Sequence, residues 1–137
     1  MSKQPSITGY VLGSLSLLAM LALPAEAVST ADEPLGPTIN HLLKYVEDSH
    51  CVFMRNGTEY NSEAAAQHLK AKYEYFTYKL KTPEDFIEVA GTKSMVSGKP
   101  YWVRCDGHVM PSAEWLTKEL SNYRTALRDK TLTKERF

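Results

Sequence analysis

The chain has 137 residues, and its 16 Lys and Arg residues balance its 16 Asp and Glu residues. A formal net charge of zero provides no long-range field that would draw the chain to nucleic acid or to an anionic membrane surface, so neither is expected as a partner. The length fits one globular domain preceded by a short processed segment.

Residues 1–27 have the three regions of a secretory signal peptide. Lys3 supplies the positive charge, residues 7–23 are apolar and uncharged, and Ala-Glu-Ala at 25–27 forms a small-x-small cleavage site. An uncleaved membrane anchor is the alternative, but the apolar run is near the lower limit for crossing a bilayer. We therefore expect cleavage after Ala27 and an exported mature chain with no stable membrane anchor.

The mature chain divides into a leader, a domain and a tail. Residues 28–36 lack periodicity and are expected to be flexible, residues 37–128 carry the apolar patterns of one domain, and residues 129–137 have little apolar content and are expected to fray. The first helix is predicted to open at Pro37 and to end near Ser49. Its apolar stripe at helical spacing consists of Ile39, Leu42, Leu43 and Val46.

The next segment, residues 51–60, predicts a β-hairpin. Asn-Gly at 56–57 is a strong signal for a type I′ turn, because both residues tolerate the positive φ that this turn requires. A two-residue loop places Phe53 opposite Tyr60, and the two side chains form an aromatic pair on one face of the hairpin.

Helices predominate in the rest of the chain, with one further strand among them. The predicted elements are a helix over 63–80, a short helix over 83–90, a polar loop over 91–100, a strand over 101–105 and a last helix from 111 onward. They predict an α+β fold, with about four helices packed on a small, mainly antiparallel sheet built on the hairpin.

The chain has two cysteines, Cys51 at the start of the hairpin and Cys105 at the end of the later strand. In an exported chain two cysteines most simply form one disulfide. His50 and His108 make zinc an alternative, but the spacing matches no zinc-finger pattern and an oxidising compartment favours the disulfide. A catalytic thiolate is disfavoured because each thiol has the other as its partner. No metal or cofactor is therefore expected.

The loop over 91–100 provides the best candidate for a binding surface, because it combines hydroxyls, amides and cations that suit an anion. Arg55 stands near the hairpin tip, where its cross-strand partner Thr58 needs no cation. A disulfide would bring the loop and the hairpin to one sheet. The hypothesis is a surface for an anionic group formed by Arg55, Ser94, Ser97 and Lys99. A solvated connector is the alternative interpretation of the loop.

An enzymatic alternative would use His41 or His68 with a loop serine, as in a small hydrolase. Each histidine lies beside the apolar stripe of its helix, where a histidine is more often a surface residue than a catalytic base. The sequence contains no Ser-x-x-Lys, Gly-x-Ser-x-Gly or His-Glu-x-x-His pattern. No catalytic residue is therefore assigned.

Four short motifs occur in order: FMRNG at 53–57, EAAAQHL at 63–69, EDFI at 84–87 and SGKPY at 97–101. With these motifs the chain resembles the YfeK-like group of small exported bacterial proteins, whose domain has no known function. The resemblance implies a periplasmic location and implies no activity, substrate or cofactor. Besides Arg55 and Ser97, it marks five positions for testing, which are Asn56, Gly57, His68, Gly98 and Tyr101.

Two classes of function follow from these observations. The favoured one is a non-enzymatic periplasmic protein that binds another envelope protein or an anionic component of the envelope. The small size and the absence of a recognisable catalytic motif support it. The alternative is a small periplasmic hydrolase. A pocket that joins His68 to Ser94 or Ser97 would favour the hydrolase.

Overall fold

The computed structural model describes residues 33–136, together with Gly9. Apart from Gly9, the predicted signal peptide and residues 28–32 of the predicted leader lie outside the described residues. In chain order the elements are α1 (Leu35–Asp48), β1 (Val52–Arg55), β2 (Thr58–Tyr60), α2 (Ser62–Phe76), α3 (Pro83–Phe86), β3 (Trp102–Cys105), β4 (His108–Pro111) and α4 (Ser112–Lys134). Within residues 33–136 this is the predicted α+β fold, with four helices and one antiparallel sheet.

The sheet has the strand order β2-β1-β3-β4, and every neighbouring pair is antiparallel. The predicted hairpin is confirmed, with Phe53 opposite Tyr60. Asn56 and Gly57 have φ values of 51° and 78°, both in the left-handed region that a type I′ turn requires. This turn sets the register between β1 and β2, and β1 also pairs with β3 on its other side.

The strand β4 was not predicted. The turn signal Asp106-Gly107 is present in the sequence, and these residues have φ values of 49° and 79°, which makes a second turn of the same kind. The four residues of β4 have mixed polarity and give no clear alternation, so the sequence pattern alone predicts no strand there. Pairing with β3 overrides that weak local pattern.

Both ends of the described domain extend beyond their predicted limits. The first helix begins at Leu35 rather than at Pro37. Glu33, just before it, accepts hydrogen bonds from Arg124 of α4, with an Oε2–Nη2 distance of 2.6 Å. At the other end α4 continues to Lys134, past the predicted boundary at residue 128. In the described part of the chain, no helix has the length and apolar content needed to cross a membrane.

The second helix begins at Ser62, one residue before its predicted start, the third begins at Pro83 as predicted, and both end differently from the prediction. After Phe76 the chain makes one 3₁₀ turn, Thr77–Lys79, so α2 stops short of the predicted end at Leu80. The third helix starts with a capping box in which Thr82 and Asp85 exchange side-chain and backbone hydrogen bonds. It continues as a π-helical turn over Ile87–Gly91.

The core lies between the inner face of the sheet and the helices. Val103 of β3, Leu42 of α1, Phe86 of α3 and Leu116 of α4 are fully buried in it. Gly91, at the end of the π-helical turn, lies against α4. A Cβ added there would lie 2.6 Å from the Leu116 Cδ1 atom, so an alanine at this position would force the Leu116 side chain to move.

The predicted disulfide between Cys51 and Cys105 is confirmed, and the two Cα atoms are 4.9 Å apart. The bond joins the residue before β1 to the last residue of β3, so it closes one end of the central strand pair. The two cysteines are 54 residues apart in sequence, and a bond across this separation removes much of the freedom of the unfolded chain.

Reducing this bond is expected to lower the free energy of unfolding by up to about 4 kcal/mol, by the chain-entropy relation for a loop of this length. The measurement is urea unfolding of the oxidised protein with and without a strong reductant. The double variant Cys51→Ser with Cys105→Ser is the control, since reductant should leave its midpoint unchanged. Equal midpoints for oxidised and reduced parent protein would contradict the expected contribution of the bond.

Candidate functional site

Arg55, the last residue of β1, points to the inner side of the sheet, because it shares a face with the buried Phe53 two residues before it. Its Nη2 atom donates a hydrogen bond of 3.1 Å to the Tyr60 hydroxyl, and its guanidinium carbon lies 4.8 Å from the centre of that ring. The hydrogen bond to Tyr60 is the main cause that raises the pKa of Arg55. The hairpin therefore holds a permanent cation under the sheet.

His68 of α2 lies directly against this guanidinium. The Arg55 Nη1 atom is 2.8 Å from Nδ1 and 3.0 Å from Nε2 of the imidazole, and Nε2 is 3.3 Å from the Tyr101 hydroxyl. Burial, then Arg55 and Lys72, lowers the pKa of His68 from its ordinary value of 6.5 to about 4. The ring is thus neutral at neutral pH, and its unprotonated nitrogen can accept a hydrogen bond from Arg55, since both ring nitrogens lie within reach of Nη1.

Lys72 lies one helical turn after His68 on α2. Its Nζ atom donates to the backbone carbonyls of Lys93 and Ala90, at 3.1 and 3.4 Å, and lies 3.4 Å from the Tyr101 hydroxyl. Burial and the charge of Arg55 lower the pKa of Lys72. The two cations therefore lie at the neighbouring rings of His68 and Tyr101, with Arg55 against the imidazole and Lys72 near the tyrosine hydroxyl.

The basic cluster consists of Arg55, Tyr60, His68, Lys72 and Tyr101, and it contains no acidic residue. Within residues 33–136, neither Arg55 nor Lys72 forms an ion pair with a carboxylate. Burial and the neighbouring charge of Arg55 disfavour the charge of Lys72 and lower its pKa, and no described carboxylate offsets this cost. The arrangement therefore favours the approach of an anion.

A cavity of 120 Å³ lies beside the basic cluster, between the hairpin and α2. Its wall is mainly apolar, but Arg55, His68 and both tyrosines of the cluster reach it. The residues that line this pocket are Phe53, Met54, Arg55, Tyr60, Ala64, Ala65, His68, Leu69, Tyr101 and Ser112. The pocket thus joins an apolar wall to the guanidinium of Arg55.

Comparison with known proteins matches the region of the chain that contains this site. Residues 35–124 match a family of unknown function, DUF5329. The chain belongs to this family. Over 83 residues it is 35% identical to the uncharacterized protein YfeK of Salmonella typhimurium, an alignment that covers 60% of this chain and 68% of that protein. No solved structure matches the chain.

The matched range of DUF5329 contains the whole basic cluster and the pocket, and also the loop singled out from the sequence. The loop and the hairpin tip do meet. The Asn56 side chain donates to the Ser94 hydroxyl, at 3.3 Å, and accepts from the Ser97 hydroxyl. Gly98, at φ 69°, completes the turn of the loop.

The four residues of the hypothesised anion surface separate into two groups. Ser94 is buried, and its hydroxyl accepts from Asn56 and from the backbone of Ser97. The Ser97 hydroxyl in turn accepts from the backbone amide of Lys99, a residue that is exposed. These loop hydroxyls maintain the loop's own structure, whereas Arg55 points toward His68 and Tyr101.

Sequence reasoning did not find Lys72 or Tyr60 as members of the site. A signal for Lys72 was present, because it follows His68 by four residues and so lies on the same helix face. Likewise, the predicted pairing of Phe53 with Tyr60 placed this tyrosine on the inner face. The family resemblance marked His68 and Tyr101 only as positions to test, and the structure places His68 beside Arg55 and Tyr101 beside His68.

The remaining histidines contribute to other features. His41 of α1 is 2.6 Å from the Glu119 carboxylate and stacks on Tyr123, with ring centres 3.9 Å apart, which links α1 to α4. Both cysteines of the zinc alternative are in the disulfide. Among the described residues no group of three or more His, Cys, Asp or Glu side chains is placed to hold a metal ion.

The pKa of His68 predicts a loss of stability in mild acid. Below pH 6.5 the unfolded chain takes up a proton at this residue, while the folded chain does so only near pH 4, so the free energy of unfolding falls between these values. Urea unfolding from neutral pH down to about 4 should show a shallower fall for His68→Gln than for the parent.

The exposed His108 on β4 provides the matched control, and His108→Gln should keep the slope of the parent protein. The comparison removes the contribution of carboxylates that also titrate in this range, because these are the same in all three proteins. Identical slopes for His68→Gln and the parent would mean that His68 is not held neutral by its neighbours.

Proposed function

We propose that this protein is exported to the periplasm and acts there as a non-enzymatic binding protein, which recognises an anionic group of an envelope component through Arg55 and Lys72. One observation carries the proposal. Arg55 lies against His68 and Lys72 lies 3.4 Å from the Tyr101 hydroxyl, which is itself next to His68 beside a pocket, and no described carboxylate neutralises either cation.

The guanidinium is suited to this task by its number of donors. Arginine has five N–H donors, and the hydrogen bonds of Arg55 to Tyr60 and His68 leave others free for a ligand oxygen. Tyr60 and His68 also fix its orientation before a ligand arrives, which lowers the entropy that binding would remove. A charge-assisted hydrogen bond at such a site contributes about 1.5–3 kcal/mol.

The hydrolase alternative gains no support from the site. The pocket includes His68 but neither Ser94 nor Ser97, and the Tyr101 hydroxyl is the hydroxyl within reach of the His68 ring. A pKa near 4 also makes His68 a weak general base at neutral pH, because an efficient base has its pKa near the working pH. Binding therefore explains the arrangement better than proton transfer does.

Export is a separate part of the proposal, and residues 1–27 and the disulfide support it. When the full chain is expressed in a Gram-negative host, we expect the protein in the periplasmic fraction, with Val28 as its first residue. N-terminal sequencing of the protein from that fraction identifies its first residue. A variant with Lys at the middle of the apolar run, Leu17→Lys, should remain uncleaved in the cytoplasm. A cytoplasmic, uncleaved parent protein would contradict export.

Recognition through Arg55 is tested by affinity capture from envelope extract with the mature protein as bait. Arg55→Gln is expected to reduce the recovered partner or component by tenfold or more, since the loss of one charge-assisted bond exceeds the ~1.4 kcal/mol that corresponds to a factor of ten. The exposed Lys70, on the same helix as Lys72, gives the control, and Lys70→Gln should recover as much as the parent.

Two further measurements show which surface binds the ligand and whether the variant is folded when it is tested. Lys99→Gln distinguishes the loop from the basic cluster, because only a ligand that reaches the loop depends on the Lys99 side chain. The denaturation midpoint of Arg55→Gln must match that of the parent for its capture result to count. If Arg55→Gln is stable and recovers the same material in the same amount, Arg55 is not a recognition residue; if it unfolds, Arg55 is structural.

A further inference from the structure

We infer that the ligand of the pocket is a compact amphiphilic acid, an anionic head group joined to an apolar body about the size of one aromatic ring. The inference deepens the proposed function and rests on it. It derives from the shape and lining of the cavity rather than from the charges alone.

The pocket has walls of two kinds. One wall is polar and belongs to the basic cluster, with the Arg55 guanidinium between Tyr60 and His68. The other is built from carbon atoms of the hairpin and of α2. Its residues are Phe53, Met54, Ala64, Ala65 and Leu69. A simple inorganic anion would contact the first wall and leave the second in contact with water, whereas an amphiphile would cover both.

The volume limits the size of the apolar body. The cavity measures 120 Å³, somewhat less than the ~150 Å³ of an engineered protein cavity that binds benzene. Because the pocket is also partly open to solvent, a body no larger than one aromatic ring or a short alkyl chain fits. A long acyl chain exceeds this space, and a sugar ring would leave its hydroxyls without partners against the apolar wall.

Two small residues create this space. Ala64 and Ala65 lie in the first turn of α2, and both line the pocket. Ala65 is 8% exposed, whereas Ala64 is more open to the pocket and to solvent. A larger side chain at position 64 would occupy the apolar part of the cavity without removing any hydrogen bond of the basic cluster. This residue therefore separates the two walls experimentally.

The experiment titrates the purified exported protein with small probes and follows binding by NMR chemical shifts. Acetate, butyrate and hexanoate share one head group and differ in apolar length. Affinity is expected to rise about fourfold for each added methylene until the cavity is full. Benzoate should bind at least tenfold more tightly than benzyl alcohol, which has the ring without the charge. Phenyl phosphate distinguishes a phosphate head group from a carboxylate.

Substitutions show which wall of the pocket is responsible for each change in affinity. Ala64→Leu should weaken benzoate tenfold or more and leave acetate unchanged, and Ala64→Val is the milder variant if the first disturbs folding. Ala71→Leu, at an exposed position of the same helix, is the matched control and should bind all probes as the parent does. Arg55→Gln should abolish the difference between benzoate and benzyl alcohol.

The outcomes separate this inference from the function on which it rests. If acetate, hexanoate and benzoate bind equally and all depend on Arg55, anion recognition stands and the apolar body is refuted. If benzyl alcohol binds as well as benzoate, the cavity takes apolar groups but recognition of an anion by Arg55 is refuted. If none of the probes shifts resonances of the pocket residues, the inference is overturned.

Discussion

The antiparallel pairing of β1 with β3 is the constraint on which both the fold and the candidate site depend. Its register places Val52 opposite Arg104 and Met54 opposite Trp102. Continued by one residue at each end, the same register sets Cys51 beside Cys105 and Arg55 beside Tyr101. The disulfide therefore closes one end of this ladder, and the basic cluster forms at the other. A slip of one residue would turn Arg55 to the outer face of the sheet and separate it from His68.

The parts of the fold that sequence reasoning predicted correctly are those determined locally. The Asn56-Gly57 turn requires positive φ at both residues, so the register of β1 with β2 follows from two positions. The disulfide follows from composition together with the expected compartment. The strand β4 could not be recognised in the same way, because its stability comes from pairing with β3 and not from its own short, mixed pattern.

The candidate site was less predictable, because it depends on which faces meet. Period-two alternation from the buried Phe53 places Arg55 on the inner face, yet its position near a hairpin tip suggested an outward surface shared with the loop. The sequence predicts ligand donors in the loop hydroxyls of Ser94 and Ser97. They instead satisfy Asn56 and the loop's own backbone amides, a common requirement of a tight polar loop. The role of Lys72 emerges only when α2 packs on the sheet.

The basic cluster has two cations without a described carboxylate beside them, and this supports a functional role for it. Arg124, which links α4 to the start of α1 and to α3, is neutralised by the carboxylates of Glu33 and Glu84. Arg55 and Lys72 are also partly buried, but the chain places no described carboxylate with them and instead holds His68 neutral between them. A sequence selected for stability alone would pair or replace Lys72, since its charge is partly buried beside that of Arg55 with no described carboxylate to offset it. Local conflicts of this kind are expected where a protein gives up stability for binding.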